Sequence, residues 1–521
     1  MRLVSCFAHG DCQHSARYGV AASARAMNAI PRRSSVLESN SGVIVQQGLA
    51  RGCAGEGPAG VSEFAAVIFA TGAAFFMIVL DTSIVNLALP RIGHVFHADL
   101  TALQWLVDGY ALIFASLLLN AGALGDRYGA KRVFSIGLLI FCAASAACGL
   151  APNMASLQCA RALQGISAAM LLPNSLAALN HTVADPNRRK IAVSAWASAG
   201  GLGVAVGPVA GGLLVQYLDW RSIFLVNIPV GLIGVWLARR HVATGPRQTD
   251  RELDPIGQVL AVVTLATLTY WMISVGRSHD ISSATILLGT AVLLLGAAFI
   301  AVESRQANPM LPLALLNPRA LGSVAVVGLL HNVGIYGLIF ALSLAFQELR
   351  GMTPVGAGLL FLPMTLMLAF GTRVGASLLQ TSNVFGPQIW GHAAAALGAV
   401  ALALMGFDRS WAAIALPLCV IGLGGGITTP SMNLSALDAV ERNRSGLASG
   451  ILNSARQTGG VIGVALLGAL VGGPATAAGA RWAAVAAAIA LAGASAFAAG
   501  IARQHRGSAA IPVGPDRPAR P

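Results

Sequence analysis

Three ionisable residues stand inside long apolar runs, where each needs a chemical reason. Asp81 falls in FFMIVLDTSIVNLALP, Asp108 in WLVDGYAL and Arg161 in ARALQGISAAM, with Gln164 one turn further on. A charge at the centre of a membrane helix costs about 2.5–3.5 kcal/mol on insertion scales, so it faces a cavity or a partner. A carboxylate there can take up a proton, or attract an organic cation strongly across a low-dielectric space. A nearby guanidinium favours the ionised carboxylate and desolvation favours the protonated one. Arg161 beside a carboxylate would let a conformational change load or release a proton. The structural readings stay open beside these: Asp81 capping a kink or bonding a neighbouring helix, Asp108 in interhelical pairing, Arg161 satisfying backbone carbonyls.

The rest of the chain supplies the helices. Its 521 residues are 56% hydrophobic and 10% charged, with mean hydropathy +0.71. A soluble globular protein is about 25% charged, so the balance predicts an all-α polytopic membrane protein. Sixty glycines suit helices that approach closely in lipid. The formal charge of +13 does not point to nucleic acid: the basic residues sit in short loops, only Lys131 and Lys190 are lysines, and no basic-aromatic stripe occurs. Seven cysteines without a C-x-x-C give neither a zinc site nor a disulfide framework. No metal-ligand spacing, phosphate loop or nucleophile elbow appears, so an enzyme is not expected.

Apolar runs of about 20 residues, enough to span about 30 Å of hydrocarbon, recur between residues 63 and 502 and number fourteen. The ninth and tenth, 322–346 and 356–379, contain no acid. Lys and Arg crowd alternate loops, as at Arg127–Lys131–Arg132, Arg188–Arg189–Lys190 and Arg239–Arg240. The opposite loops hold single residues such as Arg91, Arg221 and Arg277. The positive-inside rule then puts both termini in the cytoplasm. Residues 1–61 form a polar, arginine-rich arm without the apolar core of a secretory signal, expected to be disordered or to precede a start at Met27. An organellar transit peptide is the other reading of that arm.

Several stretches carry more than hydropathy. GALGDRYGAKR, 122–132, is a short charged turn in which Gly122, Gly125 and Gly129 permit tight geometry around Asp126, Arg127, Lys131 and Arg132. In GLGVAVGPVAGG, 201–212, Gly203, Gly207 and Gly211 share a helix face beside Pro208 and Gly212. This is a packing face, and no strand precedes it to make a dinucleotide-binding loop. DWRSIFLVNIPVG follows at 219–231, and SGLASGILNSARQTGGVIGVAL, with Arg456 and Gln457, at 445–466. Residues 171–190 resemble 428–446, with Pro173 matching Pro430, as expected of two bundles related by an axis along the membrane normal.

These stretches, in this order, resemble the major facilitator superfamily and, over about residues 62–502, its fourteen-helix drug:proton antiporter family. The 122–132 segment is similar to the loop G-x-L-x-D-R-x-G-x-K-R between the second and third helices. LDTSIVNLALP resembles that family's first-helix signature, ARALQG its R-x-x-Q-G pattern, and 201–212 its antiporter helix. Asp108 resembles the acid of the branch that exports quaternary ammonium and lipophilic cations. Ser222 replaces the usual second aromatic of W-R-W, and GASLLQTSNVFGPQIWG at 375–391 lacks a second copy of the charged loop.

The resemblance implies a major facilitator fold: a six-helix bundle over 62–240, two extra central helices within 241–310, a second bundle over 311–502 and a cytoplasmic tail, 503–521. It implies proton-coupled efflux of lipophilic or cationic drugs across the cytoplasmic (inner) membrane, with Asp81, Asp108, Arg161 and Gln164 in coupling and binding. The 122–132 loop would act as a cytoplasmic latch and the C-terminal half as a packing partner. Expected partners are a small-molecule substrate, protons and the lipid bilayer, with a periplasmic adaptor an open question. No cofactor or metal is expected, the energy source being the proton gradient. The alternative on the same fold is a proton-coupled exporter of an endogenous metabolite or siderophore.

Overall fold

The computed structural model describes residues 58–509, except 246, 248–253, 279–281, 307–308, 317–320, 382, 407–409, 441–444 and 473–474. The polar arm up to residue 57 and the tail from 510 lie outside the described residues. Among the described residues, fourteen helices are long and apolar enough to cross a membrane. They are α1 (Pro58–Phe96), α2 (Leu100–Tyr128), α3 (Ala130–Gly149), α4 (Met154–Thr182) and α5 (Pro186–Tyr217). The two pieces 222–225 and 227–241 form one span, α6 (Ser222–His241). There follow α7 (Pro255–Ser278), α8 (Ser283–Glu303), α9 (Leu321–Leu344), α10 (Pro354–Leu378), α11 (Gly386–Met405), α12 (Trp411–Asp438), α13 (Ser445–Val471) and α14 (Ala477–Ala509). The residues expected to open the tail, 503–509, thus still belong to a helix.

Polar residues in the connections start these helices. Asp99 accepts from Ala102 N at 2.9 Å to cap α2, and Asn153 with Ser156 forms a capping box on α4. Asp185 caps α5, with Pro186 as the first helical residue. Prolines interrupt several spans, among them Pro90, Pro173, Pro208, Pro363, Pro417 and Pro430. Such breaks are tolerated where neighbouring helices enclose the freed backbone.

The spans from α1 to α6 pack as one bundle and those from α9 to α14 as another, with α5 meeting α10 and α2 meeting α13 at the seams. The two extra helices are not interposed between the bundles. α7 lies alongside the α2–α13 seam and touches both helices, while α8 packs on α7 and is otherwise exposed. Asn120 on α2 fixes the insert by donating to Gln258 Oε1 at 2.7 Å, and Gln258 returns a bond to Ser116 O at 3.0 Å.

The apolar cores differ between the two ends of the helices. Towards the turn at 97–99, one apolar cluster runs through both bundles, from Ile84 and Leu103 to Phe346, Phe361 and Val464. Towards Gly129 each bundle keeps its own core, around Phe134 and Leu171 in one and Leu321 and Met432 in the other. At that end α2 still reaches across, its Leu119 lying against the second core.

Candidate functional site

Asp81, in the middle of α1, and Arg161, on α4, form a buried ion pair, 0% and 1% exposed. The same guanidinium Nη1 donates to Gln164 Oε1 at 2.8 Å, and its Nε reaches the carbonyl of Leu106 on α2 at 3.4 Å. Gln164 donates in turn to Ser145 Oγ on α3 at 2.8 Å and to Asp81 Oδ1 at 3.4 Å. Asn227 on α6 donates to Asp81 Oδ1 at 3.3 Å. The guanidinium also lies over the Tyr110 ring, 4.2 Å from its centroid. Five helices thus converge on one ion pair, and its carboxylate accepts from three side chains. Charges removed from water need this completeness of pairing.

Asp108 belongs to a different environment. On α2, Leu106 and Tyr110 face Arg161, whereas Gln104, Asp108 and Ala115 fall on the opposite face by helical register. That face meets α13: Gln104 donates to Val464 O and Ala465 O at 3.2 and 3.1 Å, and Ser454 donates to Ala115 O at 3.1 Å. Asp108 sits between these two contacts, 0% exposed, and neither carboxylate oxygen has a hydrogen-bond partner among the described residues. The two aspartates therefore form two sites, one inside a bundle and one on the seam between bundles.

The charged turn at 122–132 is mostly helix. α2 continues to Tyr128 and α3 begins at Ala130, leaving Gly129 as the one non-helical residue. Its φ of +97° is a conformation side-chain-bearing residues rarely adopt, and its N–H bonds Gly125 O at 2.8 Å. Gly125 lies against the Asn174 side chain on α4, which also donates to Ala121 O at 2.9 Å. Gly122 faces Pro173. Asp126 and Arg127 are half-buried in the last turn of α2, Arg132 is exposed, and Lys131 donates to Arg239 O at the end of α6 at 3.0 Å.

The glycines of α5 serve two neighbours. Gly203, Gly207 and Gly211 lie on α1, where a methyl group on Gly203 would meet Phe76 O at 2.9 Å and one on Gly211 would meet Ile84 O at 3.1 Å. Gly207 lies against Ser83, two residues from Asp81. On the other side Gly212 faces Pro354 O, 2.6 Å from where a methyl group would stand, and the carbonyl of Pro208 touches Gly358 on α10. This helix packs between the helix of Asp81 and α10 of the second bundle.

In the C-terminal bundle Arg456 and Gln457 are half-buried on α13, with Arg456 against Gly328 of α9. One expectation needs correction here. A π-helical turn, Ala345–Leu349, prolongs α9 and brings Glu348 into that span, so the ninth span does contain an acid. The second bundle also buries a hydrogen-bonded pair of imidazoles, His331 and His392. Asn227, Tyr110 and Ser145 join the Asp81–Arg161 cluster only through packing, and packing alone brings the two histidines together. Asn227 had a signal in NIPVG, and an intramembrane histidine is itself a warning; Ser145 had none. No group of three or more His, Cys, Asp or Glu side chains among the described residues is placed to hold a metal.

A sequence profile of the Major Facilitator Superfamily matches residues 71–464. The chain is 36% identical over 413 residues to the drug efflux pump JefA of Mycobacterium tuberculosis, covering 78% of this chain and 80% of that one. It is 35% identical over 419 residues to a methylenomycin A resistance protein of Streptomyces coelicolor, covering 80% and 86%. Among solved structures, a POT family transporter in complex with a thioalcohol-conjugated peptide superposes with TM-score 0.62 at 16% identity, over 85% of this chain and 96% of that one, a likeness of fold alone. The chain belongs to the Major Facilitator Superfamily and, within it, to the multidrug efflux family. It is a multi-pass membrane transporter and not an enzyme.

Proposed function

We propose that the protein expels lipophilic or cationic drugs from the cell in exchange for entering protons. The observation that carries this reading is the contrast between the two aspartates. Asp81 is held by Arg161, Gln164 and Asn227, whereas Asp108, at the seam between the bundles, has no hydrogen-bond partner among the described residues. An unpaired ionised carboxylate out of water costs several kcal/mol, a demand that either a proton or an organic cation meets. A site that cannot satisfy both at once exchanges one for the other. Protonating Asp81 would remove the charge that holds Arg161, so the α1–α4 contact would loosen only in the protonated state.

Export then follows from alternating access of the two bundles around a midplane site. The shared core near residues 97–99 would be the shut external side, and the Gly129 end the cytoplasmic side. This orientation is supported by the basic residues clustered in the loops of the Gly129 end; both termini would then lie on the cytoplasmic side of the cytoplasmic (inner) membrane. Gly129 and its flanking charges would act as the latch on that side. A membrane potential adds about 2.3 kcal/mol per charge moved per 100 mV, so the exchange needs no cofactor.

Reconstituted vesicles with an imposed pH gradient test this reading. Wild type is expected to move ethidium against its gradient, Asp81→Asn to lose coupling and Asp108→Asn to lose transport of cations. Normal exchange by both variants would overturn the assignment. Unchanged susceptibility of expressing cells to dyes and quaternary ammonium compounds would favour an exporter of an endogenous metabolite or siderophore.

A further inference from the structure

His331 on α9 and His392 on α11 are 3% and 0% exposed, and His331 Nδ1 lies 3.1 Å from His392 Nε2. The rings meet edge to face, their centroids 5.2 Å apart at 79°. Their tautomers follow from the hydrogen bonds. His392 Nδ1 is 2.7 Å from the main-chain oxygen of Gln388, which can only accept, so Nδ1 carries the hydrogen and Nε2 is bare. Against that bare nitrogen, His331 must present Nδ1–H. The pair therefore has one lone pair left over, on His331 Nε2, for which no hydrogen bond is found among the described residues.

In this conformation burial and a facing cation keep the pair neutral. From α13, Arg456 lies beside Gly328, one turn before His331, and is the facing permanent charge. Tyr336 on α9 is the remaining titratable group nearby, packed on Gly460 of α13. α12 presents Gly425, where a methyl group would lie 3.7 Å from His331 Cε1, and α14 presents Ala487 and Leu491 to Gly334 of α9. Asn332 Oδ1 and Gln388 Oε1 are buried acceptors without donors, set beside His331 and one turn from His392. Since Pro173 of α4 corresponds to Pro430 of α12, α1 and α3 correspond to α9 and α11. The imidazoles thus occupy in the second bundle the helices that carry Asp81 and Ser145 in the first.

We propose that the His331–His392 pair is a second proton-binding site, taking one proton at His331 Nε2 when the C-terminal bundle opens to water and returning it when the bundle closes. This rests on the proton-coupled reading above and extends it to the other bundle. The incoming proton, delivered by water, bonds to the Nε2 lone pair, and the resulting imidazolium keeps donating Nδ1–H to neutral His392. A second proton would break that hydrogen bond and set two cations in contact, so the pair titrates as a unit. On closing, the proton leaves Nε2 for water, helped by the positive charge of Arg456. Imidazole suits this because its charge changes between about pH 5 and 8.

Two readouts decide it. In wild-type protein carrying nitrogen-15 histidine, reconstituted in lipid, a nitrogen–nitrogen correlation across the hydrogen bond identifies the pair among the ten histidines without any substitution. On lowering the pH from about 8 to about 5, one ring of the correlated pair is expected to become imidazolium while the other stays neutral. In vesicles, His331→Gln and His392→Gln are expected to lose the pH dependence of efflux, where a merely structural role would lower the rate equally at every pH. Two rings that stay neutral throughout, or a double variant with the wild-type pH profile, would overturn the site. If wild-type efflux is insensitive to the pH gradient, the coupled-export reading fails, and the nuclear resonance titration still decides whether the pair binds a proton.

Discussion

Arg161 on α4 closes a buried ion pair with Asp81 on α1, and its Nε also holds the carbonyl of Leu106 on α2. One guanidinium thereby ties three helices, a geometry that a planar fork of donors can meet and an ammonium cannot. Arg161→Lys should therefore lose coupled efflux even though the charge is kept. Expression and vesicle transport measured side by side check this; full activity of the lysine variant would show that charge alone suffices.

Breaking the pair on one side leaves an uncompensated buried charge. Arg161→Gln should destabilise the protein by about 3–5 kcal/mol, while the double variant Asp81→Asn, Arg161→Gln should recover most of that loss and none of the transport. Thermal unfolding in detergent gives the coupling between the two sites. A double variant no more stable than Arg161→Gln would mean that the ion pair is not the unit of stability.

Asp108 should behave in the opposite way. Its oxygens have no hydrogen-bond partners among the described residues, so Asp108→Asn should leave the melting temperature unchanged or raise it, and should spare export of uncharged substrates while cations are lost. Resistance of expressing cells to ethidium set against a neutral drug separates these outcomes. A destabilised Asn variant would reveal a structural partner for the carboxylate.

On α5, Gly212→Val should part α5 from α10, because even a methyl group there would stand 2.6 Å from Pro354 O. The expected result is a leak, seen as faster collapse of a pH gradient in vesicles without substrate. Gly201→Ala is the matched control, since nothing lies within 4 Å of that position. An equal leak from both variants would point to general loosening of the helix.

At the α2–α3 junction, Gly129→Ala should cost about 1–2 kcal/mol through its positive φ. The loss should appear as a lower melting temperature with transport reduced in proportion. A wild-type melting temperature would show that this junction relaxes at no cost.

Much of the molecule was legible along the chain because membrane helices announce themselves by length and composition. Asp81, Arg161 and Gln164 also stood out, since each is costly in lipid. The 122–132 stretch misled by its polarity: charge marks the end of the apolar layer, and α2 runs past that level to Tyr128 before Gly129 turns the chain. The histidines give a weaker signal than an acid, because an imidazole is neutral for much of the time and passes as a core residue.

Local chemistry, then, settled what is local: fourteen apolar helices, their polar caps, the glycine face of α5 and the ionisable residues that lipid would not excuse. Which of those residues share a site depended on the angle of each helix about its axis and on its neighbours, and hydropathy holds neither. The 3.6-residue period sends Tyr110 to Arg161 and Asp108, two residues earlier, to the opposite face of α2. Only packing made one aspartate half of an ion pair, left the other alone at the seam, and brought His331 to His392 across 61 residues of chain.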